Sequence, residues 1–186
     1  MNGINDLIER RKSYRALANT PVPEEVLTRI MTAATYAPSC FNSQPWRYLV
    51  LTEPDRVQKA HSALSGGNYW AKSAPVIVVL ATKQELDARL SDGRDYAFFG
   101  CGLSAANLIH QAFAEGLYAH PMAGFEPEVI KEELAVPADF TIINLIAIGY
   151  PGKTEHLSEK HQLAERAARS RKPEKEVICY NTWCLG

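Results

Sequence analysis

Pro38-Ser39-Cys40-Phe41-Asn42-Ser43-Gln44-Pro45-Trp46 lies between a helix-like run and a strand-like run. Pro38 and Pro45 lack an N–H and fix φ, so neither flank continues a regular helix. Between them, Ser39, Asn42, Ser43 and Gln44 offer hydroxyls and amides. Such a stretch reads either as a helix stop and turn or as a stiff cradle of donors and acceptors for a ligand. What flanks it bears on the choice.

Upstream, Val26, Leu27, Ile30, Met31, Ala34 and Ala37 give one apolar helical face that ends at Pro38. Pro21, Pro23, Glu24 and Glu25 suit that helix's first turn. Further back, residues 3–13 read as a helix with Asn2 or Asn5 as cap. It runs into Arg10, Arg11, Lys12 and Arg15, either a solvated helix end or an anion site with Ser13 beside it. Downstream, Trp46–Thr52 is strand-like. A helix over about 55–64 and a loop at Ser65–Asn68 follow. Ala74–Ala81 is apolar at nearly every position and predicts a strand covered on both faces. Residues 83–92 form a short helix and connector.

Arg94–Glu115 predicts a long helix, apolar almost all round, as a helix buried partly in a subunit interface would be. Leu117–His120 reads as a short strand and His120–Phe125 as a second Pro/Gly loop. A helix over about 126–134 and a buried strand at Thr141–Tyr150 follow. From Pro151 on, the chain is polar, with a second basic cluster at Arg166, Arg169, Arg171 and Lys172. Its ending, Val177-Ile178-Cys179-Tyr180 with Trp183, favours a tail lying along another surface over a disordered one.

The 186 residues suffice for one compact domain. A 46% hydrophobic content and net charge of −1 fit an ordinary globular protein without a field for nucleic acid or membrane. No apolar run of about 18 residues and no signal-peptide core occur, so the cytoplasm is the expected compartment. The four cysteines read as buried or incidental thiols; Cys179 and Cys184 are close enough in sequence to pair, although a cytosolic disulfide is unusual. The five histidines lack metal-ligand spacing, so no metal site is expected. If the two basic clusters meet, they form one anion pocket for a small ligand, since arginine's fork matches phosphate.

At this point the chain resembles the nitroreductase superfamily of FMN-dependent oxidoreductases over almost its whole length. The resemblance rests on motifs in order: Arg10-Arg11-Lys12-Ser13-Tyr14-Arg15, Ala37-Pro38-Ser39-Cys40-Phe41-Asn42-Ser43-Gln44-Pro45-Trp46, Asn68 ahead of Ala74-Pro75-Val76, Pro121-Met122-Ala123-Gly124-Phe125, Gly149-Tyr150-Pro151, and Arg169-Ser170-Arg171-Lys172-Pro173. It implies an α+β fold, a mixed and mainly antiparallel sheet flanked by helices. It implies one FMN-binding domain over 1–186, with 151–186 an extension wrapping the other subunit of an intertwined homodimer. Arg11, Lys12, Ser13, Arg169 and Arg171 would hold the FMN phosphate. Pro38, Ser39 and Asn42 of the partner subunit would touch the flavin ring and ribityl chain, with Gln44 supporting that loop. Asn68 would bond the pyrimidine edge. Pro121, Met122 and Gly124 would line the ring's other face. Arg15 would stand near N1 and O2, with Lys72 a weaker match.

The implied mechanism is ping-pong. NADH or NADPH reduces the flavin at N5, leaves, and a nitroaromatic, quinone or similar acceptor takes its place. The cofactor carries the chemistry, so no catalytic residue is assigned. Phe41, Tyr69 and Trp70 are candidates for stacking on the acceptor, or core and interface aromatics. Two departures stand out: Ala123 replaces a frequent Glu, and the segment between Lys83 and Arg94 is short. The first leaves room for a flavin-destroying or reductively dehalogenating member, and the second for a pocket that is open or shaped for something other than a nitroaromatic; a flavin-binding dimer without turnover is a further alternative. No Gly-x-Gly-x-x-Gly fingerprint occurs, and the family's nicotinamide would stack on the flavin without one.

Overall fold

A computed structural model describes residues 3–88 and 90–185. Its centre is a four-stranded sheet, β1 (Arg47–Leu51), β2 (Val76–Thr82), β3 (Tyr118–Met122) and β4 (Thr141–Gly149), in the order β1-β2-β4-β3. Every pairing among these strands is antiparallel, so the parallel component of the expected mixed sheet is not present among the described residues. β1 and β3 are the edges.

β2 is buried at every position because both its faces are covered. Val76, Val78 and Leu80 pack with Ile146 and Ile148 of β4 against α2 (Glu24–Thr35) and α4 (Tyr96–Ala114). Ile77, Val79 and Ala81 pack with Leu145 and Ala147 on the opposite face, under α3 (Pro54–Ser62) and α5 (Pro127–Leu134). The period-2 alternation of a strand thus feeds two separate cores. Tyr48 of β1 knits one of them: its hydroxyl lies 2.8 Å from Ser104 Oγ, which donates to Ala34 O at 2.8 Å.

Several expectations are corrected. The N-terminal helix, α1, spans only Asp6–Arg10, because Arg11 turns extended at ψ 132°. Asn5 caps it by accepting from Leu7 N at 3.0 Å; Asn2 lies outside the described residues. His120-Pro121-Met122 is not loop but the end of β3. An edge strand tolerates the missing proline N–H. Polar residues 159–166 form a full helix, α6 (Glu159–Arg166). α4 buries one side, and Phe98 and Phe99 remain 43% and 55% exposed.

Past β4 the chain folds back along residues 16–18. Ala18 N donates to Tyr150 O at 2.9 Å and Gly152 N to Ala16 O at 2.8 Å. A Cβ on Gly152 would lie 2.5 Å from Leu17 C, so only glycine fits this crossing. It fixes the N-terminal segment to the sheet and aims residues 11–15 at the tail. No helix among the described residues is long and apolar enough to cross a membrane.

Candidate functional site

The two basic clusters meet. Arg169 donates through Nη2 to Arg11 O, and Arg11 Nη1 donates to Ser13 Oγ at 3.2 Å. Arg11, Lys12, Ser13, Arg169 and Arg171 line a cleft of about 260 Å³ floored by Ala164, Ala167 and Ala168, with no Asp or Glu among the lining residues. Burial, then the nearby Arg169 and Arg171 guanidinium groups, push the Arg11 pKa below its ordinary value. Cations converging without a counter-charge fit a phosphate, whose oxygens would turn the repulsion into charge-assisted hydrogen bonds. Lys12 is partly committed elsewhere. Its Nζ donates to Glu165 O at 3.1 Å and Ala167 O at 2.6 Å, capping α6 and leaving one of three donors free.

At the end of β3 a second cradle forms. Gly124 O accepts from Ser65 N at 3.0 Å, Ser65 Oγ at 2.9 Å and Asn68 Nδ2 at 2.8 Å. A Cβ on Gly124 would meet Ser65 Oγ at 2.4 Å and Asn68 Nδ2 at 3.0 Å. Gly124→Ala should therefore push both side chains away and cost roughly 1–3 kcal/mol. Adding Ser65→Ala removes the closest atom and should restore part of the loss, measured as the midpoint of urea unfolding. A double variant no better than the single would show that the clash lies elsewhere.

Between the cradles lie Arg15, Trp70 and His120. The Arg15 guanidinium sits 5.9 Å from the Trp70 ring centroid, and Trp70 packs at 4.4 Å on His120. His120 Nδ1 bonds Tyr14 O at 3.0 Å. Burial, outweighing that bond, drives its pKa down to about 4. The unfolded imidazole titrates near 6.5, so it takes up protons first as pH falls. Stability from this group is intact above pH 6.5 and is lost as pH falls through about 4. From pH 7 to 5 the loss should be about 2 kcal/mol, and His120→Gln should flatten that part of the stability–pH curve.

Other residues fall outside the cleft. Met122 is 3% exposed and packs in the core, so only its backbone remains for a ligand; Pro121 stands half-buried on the edge strand. Trp70 is 1% exposed and therefore a core residue, not a stacking platform. Tyr69 accepts from Ser158 N at 2.7 Å and bonds His161 Nδ1 at 3.1 Å, so it ties down α6. Lys72 lines a separate cavity with Gln58 and His61, away from Arg15's neighbours.

The Pro38–Trp46 loop is anchored differently. Thr82 Oγ1 donates to Pro45 O at 2.8 Å, Ser39 Oγ accepts from Gln44 N at 2.9 Å, and Trp46 is buried. Phe41, Asn42 and Gln44 all have positive φ, at 49°, 56° and 50°. Such non-glycine conformations cost on the order of 1 kcal/mol each and cluster at ligand clamps. Phe41 is 94% exposed. No hydrogen bond, ion pair or ring contact among the described residues joins this loop to the basic cleft.

Nothing in the sequence alone marks Glu165, Ser65 or His120 as site residues, because their neighbours come from distant segments. Of the two readings open for the tail cysteines, free thiols or a pair, the pair holds. Cys179 and Cys184 form a disulfide with Cα atoms 5.7 Å apart, because a turn at Asn181 (φ 65°) folds the chain back. Cys101 is buried and Cys40 half-buried, both as free thiols.

The fold is an α+β one, a helix-flanked antiparallel sheet with a basic cleft between the N-terminal segment and the tail. The model of the nitroreductase family matches residues 8–65 and 53–150. An NADH dehydrogenase of Thermus thermophilus is 30% identical, with 81% of this chain and 88% of that protein covered. The nitroreductase-like MhqN of Bacillus subtilis is 27% identical over 92% of this chain and 95% of that one. A crystal structure of an oxidoreductase containing FMN superposes with a TM-score of 0.88 at 28% identity, covering 98% of this chain and 94% of its own. A nitroreductase-family structure from Clostridium difficile 630 gives 0.79 at 25% identity, covering 97% of this chain and all of that one. The chain belongs to the nitroreductase family and has the fold of its FMN-dependent NAD(P)H oxidoreductases.

Proposed function

We propose that this chain is an FMN-dependent oxidoreductase that takes hydride from NADH or NADPH and passes it to a nitroaromatic, quinone or similar small acceptor, working as a homodimer. The observation that carries the reading is the acid-free cleft of Arg11, Ser13, Arg169 and Arg171, set beside the Gly124–Asn68 cradle. These groups fit FMN at its two ends. The guanidinium groups and Ser13 would bind the phosphate, and Lys12 would add its free donor. Asn68 and the backbone of Pro121, Met122 and Gly124 would orient the ring, and Arg15 would face its N1 edge. When bound, FMN supplies the two-electron chemistry at N5.

Pro38, Ser39, Asn42 and Gln44 enter from a second copy in this reading. The support is the loop's strain, its separation from the cleft, and the exposure of Phe41, Phe98, Phe99, Tyr180 and Trp183. Exposed apolar groups of this extent mark an interaction surface. Phe41, raised on the loop, would then reach the acceptor side of the other chain's site.

The test is an anaerobic visible spectrum of the purified protein before and after NADH or NADPH. Flavin bands that bleach, and recover on adding a quinone, support the reading. Bands that persist with both nicotinamides would remove the reductive role. Flavin loss on reoxidation in air would point instead to a flavin-destroying activity, for which exposed Ala123 leaves room.

A further inference from the structure

Glu165 closes the last turn of α6, yet its side chain is only 7% exposed. One carboxylate oxygen accepts from Arg15 N at 3.0 Å and the other from Ala16 N at 3.3 Å. The first also lies 4.0 Å from Arg15 Nη1, the one acidic partner of that guanidinium among the described residues. The same acid therefore fixes the backbone of Arg15 and faces its charge. The main chain around it is held too, because Lys12 binds the Glu165 and Ala167 carbonyls. Arg15 is thus clamped between Glu165 and the Trp70 ring. A partly buried ion pair presents its surroundings with a dipole, a weaker field than that of a bare guanidinium.

We propose that Glu165 is a positioning residue that holds Arg15 at the N1 edge of bound FMN and offsets part of its charge, thereby setting the cofactor's reduction potential. The proposal rests on the FMN reading above. Reduction adds negative charge to that edge of the ring. A carboxylate close behind Arg15 opposes the addition, whereas Arg15 favours it. The tail would then contribute to the site twice, through Arg169 and Arg171 at the phosphate and through Glu165 at the ring.

The experiment compares wild type with Glu165→Gln, Glu165→Asp and Arg15→Gln, all loaded with FMN. The midpoint potential is measured by equilibration with a reference dye, and FMN affinity by flavin fluorescence. Glu165→Gln should move the potential positive, raising the equilibrium constant for reduction roughly tenfold, as expected for removing a unit charge some 10 Å away in a partly buried site. Arg15→Gln should move it negative. Glu165→Asp keeps the charge and should stay near wild type. An unmoved or more negative potential in Glu165→Gln, with FMN bound, overturns the proposal alone. So does a Glu165→Asp shift as large as that of Glu165→Gln, which would make the effect structural. A wild type that does not bind FMN overturns the cofactor reading and this proposal with it.

Discussion

Replacing Arg169 and Arg171 together by alanine is expected to abolish practical FMN binding while leaving the fold intact. Charge-assisted contacts to phosphate are typically worth about 1.5–3 kcal/mol each, so the pair should weaken binding by roughly 10²–10⁴-fold. The fold should survive because both residues are exposed and lie beyond α6. Among the described residues Arg169 donates to Arg11 O alone, and Arg171 to its neighbour Ser170 O alone, at 2.7 Å. Titration of the apo-protein with FMN, followed by flavin fluorescence, gives the affinity; circular dichroism checks the fold. The drop should also shrink the salt dependence of binding, since screened charges carry the effect. Unchanged affinity would mean that the phosphate sits elsewhere.

Gly152→Ala should cost the most stability of any single methyl group added to this chain's crossing with residues 16–18. The new Cβ would stand 2.5 Å from Leu17 C, 2.6 Å from Ala18 N and 2.7 Å from Leu17 O. All three are backbone atoms, so no rotamer change relieves the overlap. The strands of this crossing must separate, breaking the Gly152–Ala16 and Ala18–Tyr150 hydrogen bonds. Overpacking and the two lost bonds together suggest about 2–5 kcal/mol. For a chain of this size that is a fall in Tm of roughly 5–15 °C. Because the crossing aims residues 11–15 at the tail, FMN affinity should fall as well. A variant as stable as wild type would show that residues 16–18 are not held against β4's exit.

Much of the fold was legible in the sequence where one physical signal dominated. β2 is apolar up to Thr82 and β4 is apolar from Leu145 on, and burial on both faces follows directly over those stretches. α2 follows from its apolar spacing and its acidic first turn. Where tertiary contacts overrule local preference, the reading slipped. Residues 11–13 look like helix, but they are drawn extended by their partners in the tail. Pro121 looks like loop, because a proline argues against a strand until the strand is known to be an edge. The basic motifs pointed to a common cleft, and the structure brings them together. Glu165 did not show, since it is one of several acids in a polar segment until folding sets it against Arg15. The spacing of Cys179 and Cys184 allowed a disulfide without deciding it, because spacing in sequence does not reveal a turn that returns the chain on itself.

The outer edge of β1 has a further consequence for the proposed homodimer, in the time before two chains meet. Among the described residues Arg47–Leu51 pairs with β2 on one side only, and its other side is an open row of backbone donors and acceptors near the exposed Phe41 and half-exposed Leu49. A newly made chain therefore carries a sticky rim. Dimer formation, as proposed, and haphazard clumping through this rim differ in how they scale with protein concentration. For the proposed dimer, recovery on dilution from urea should pass through a maximum: too dilute, and chains would not find each other; too crowded, and they would precipitate. A lysine at Leu49 would lower the clumping arm of that curve more than it alters the stability of the folded chain.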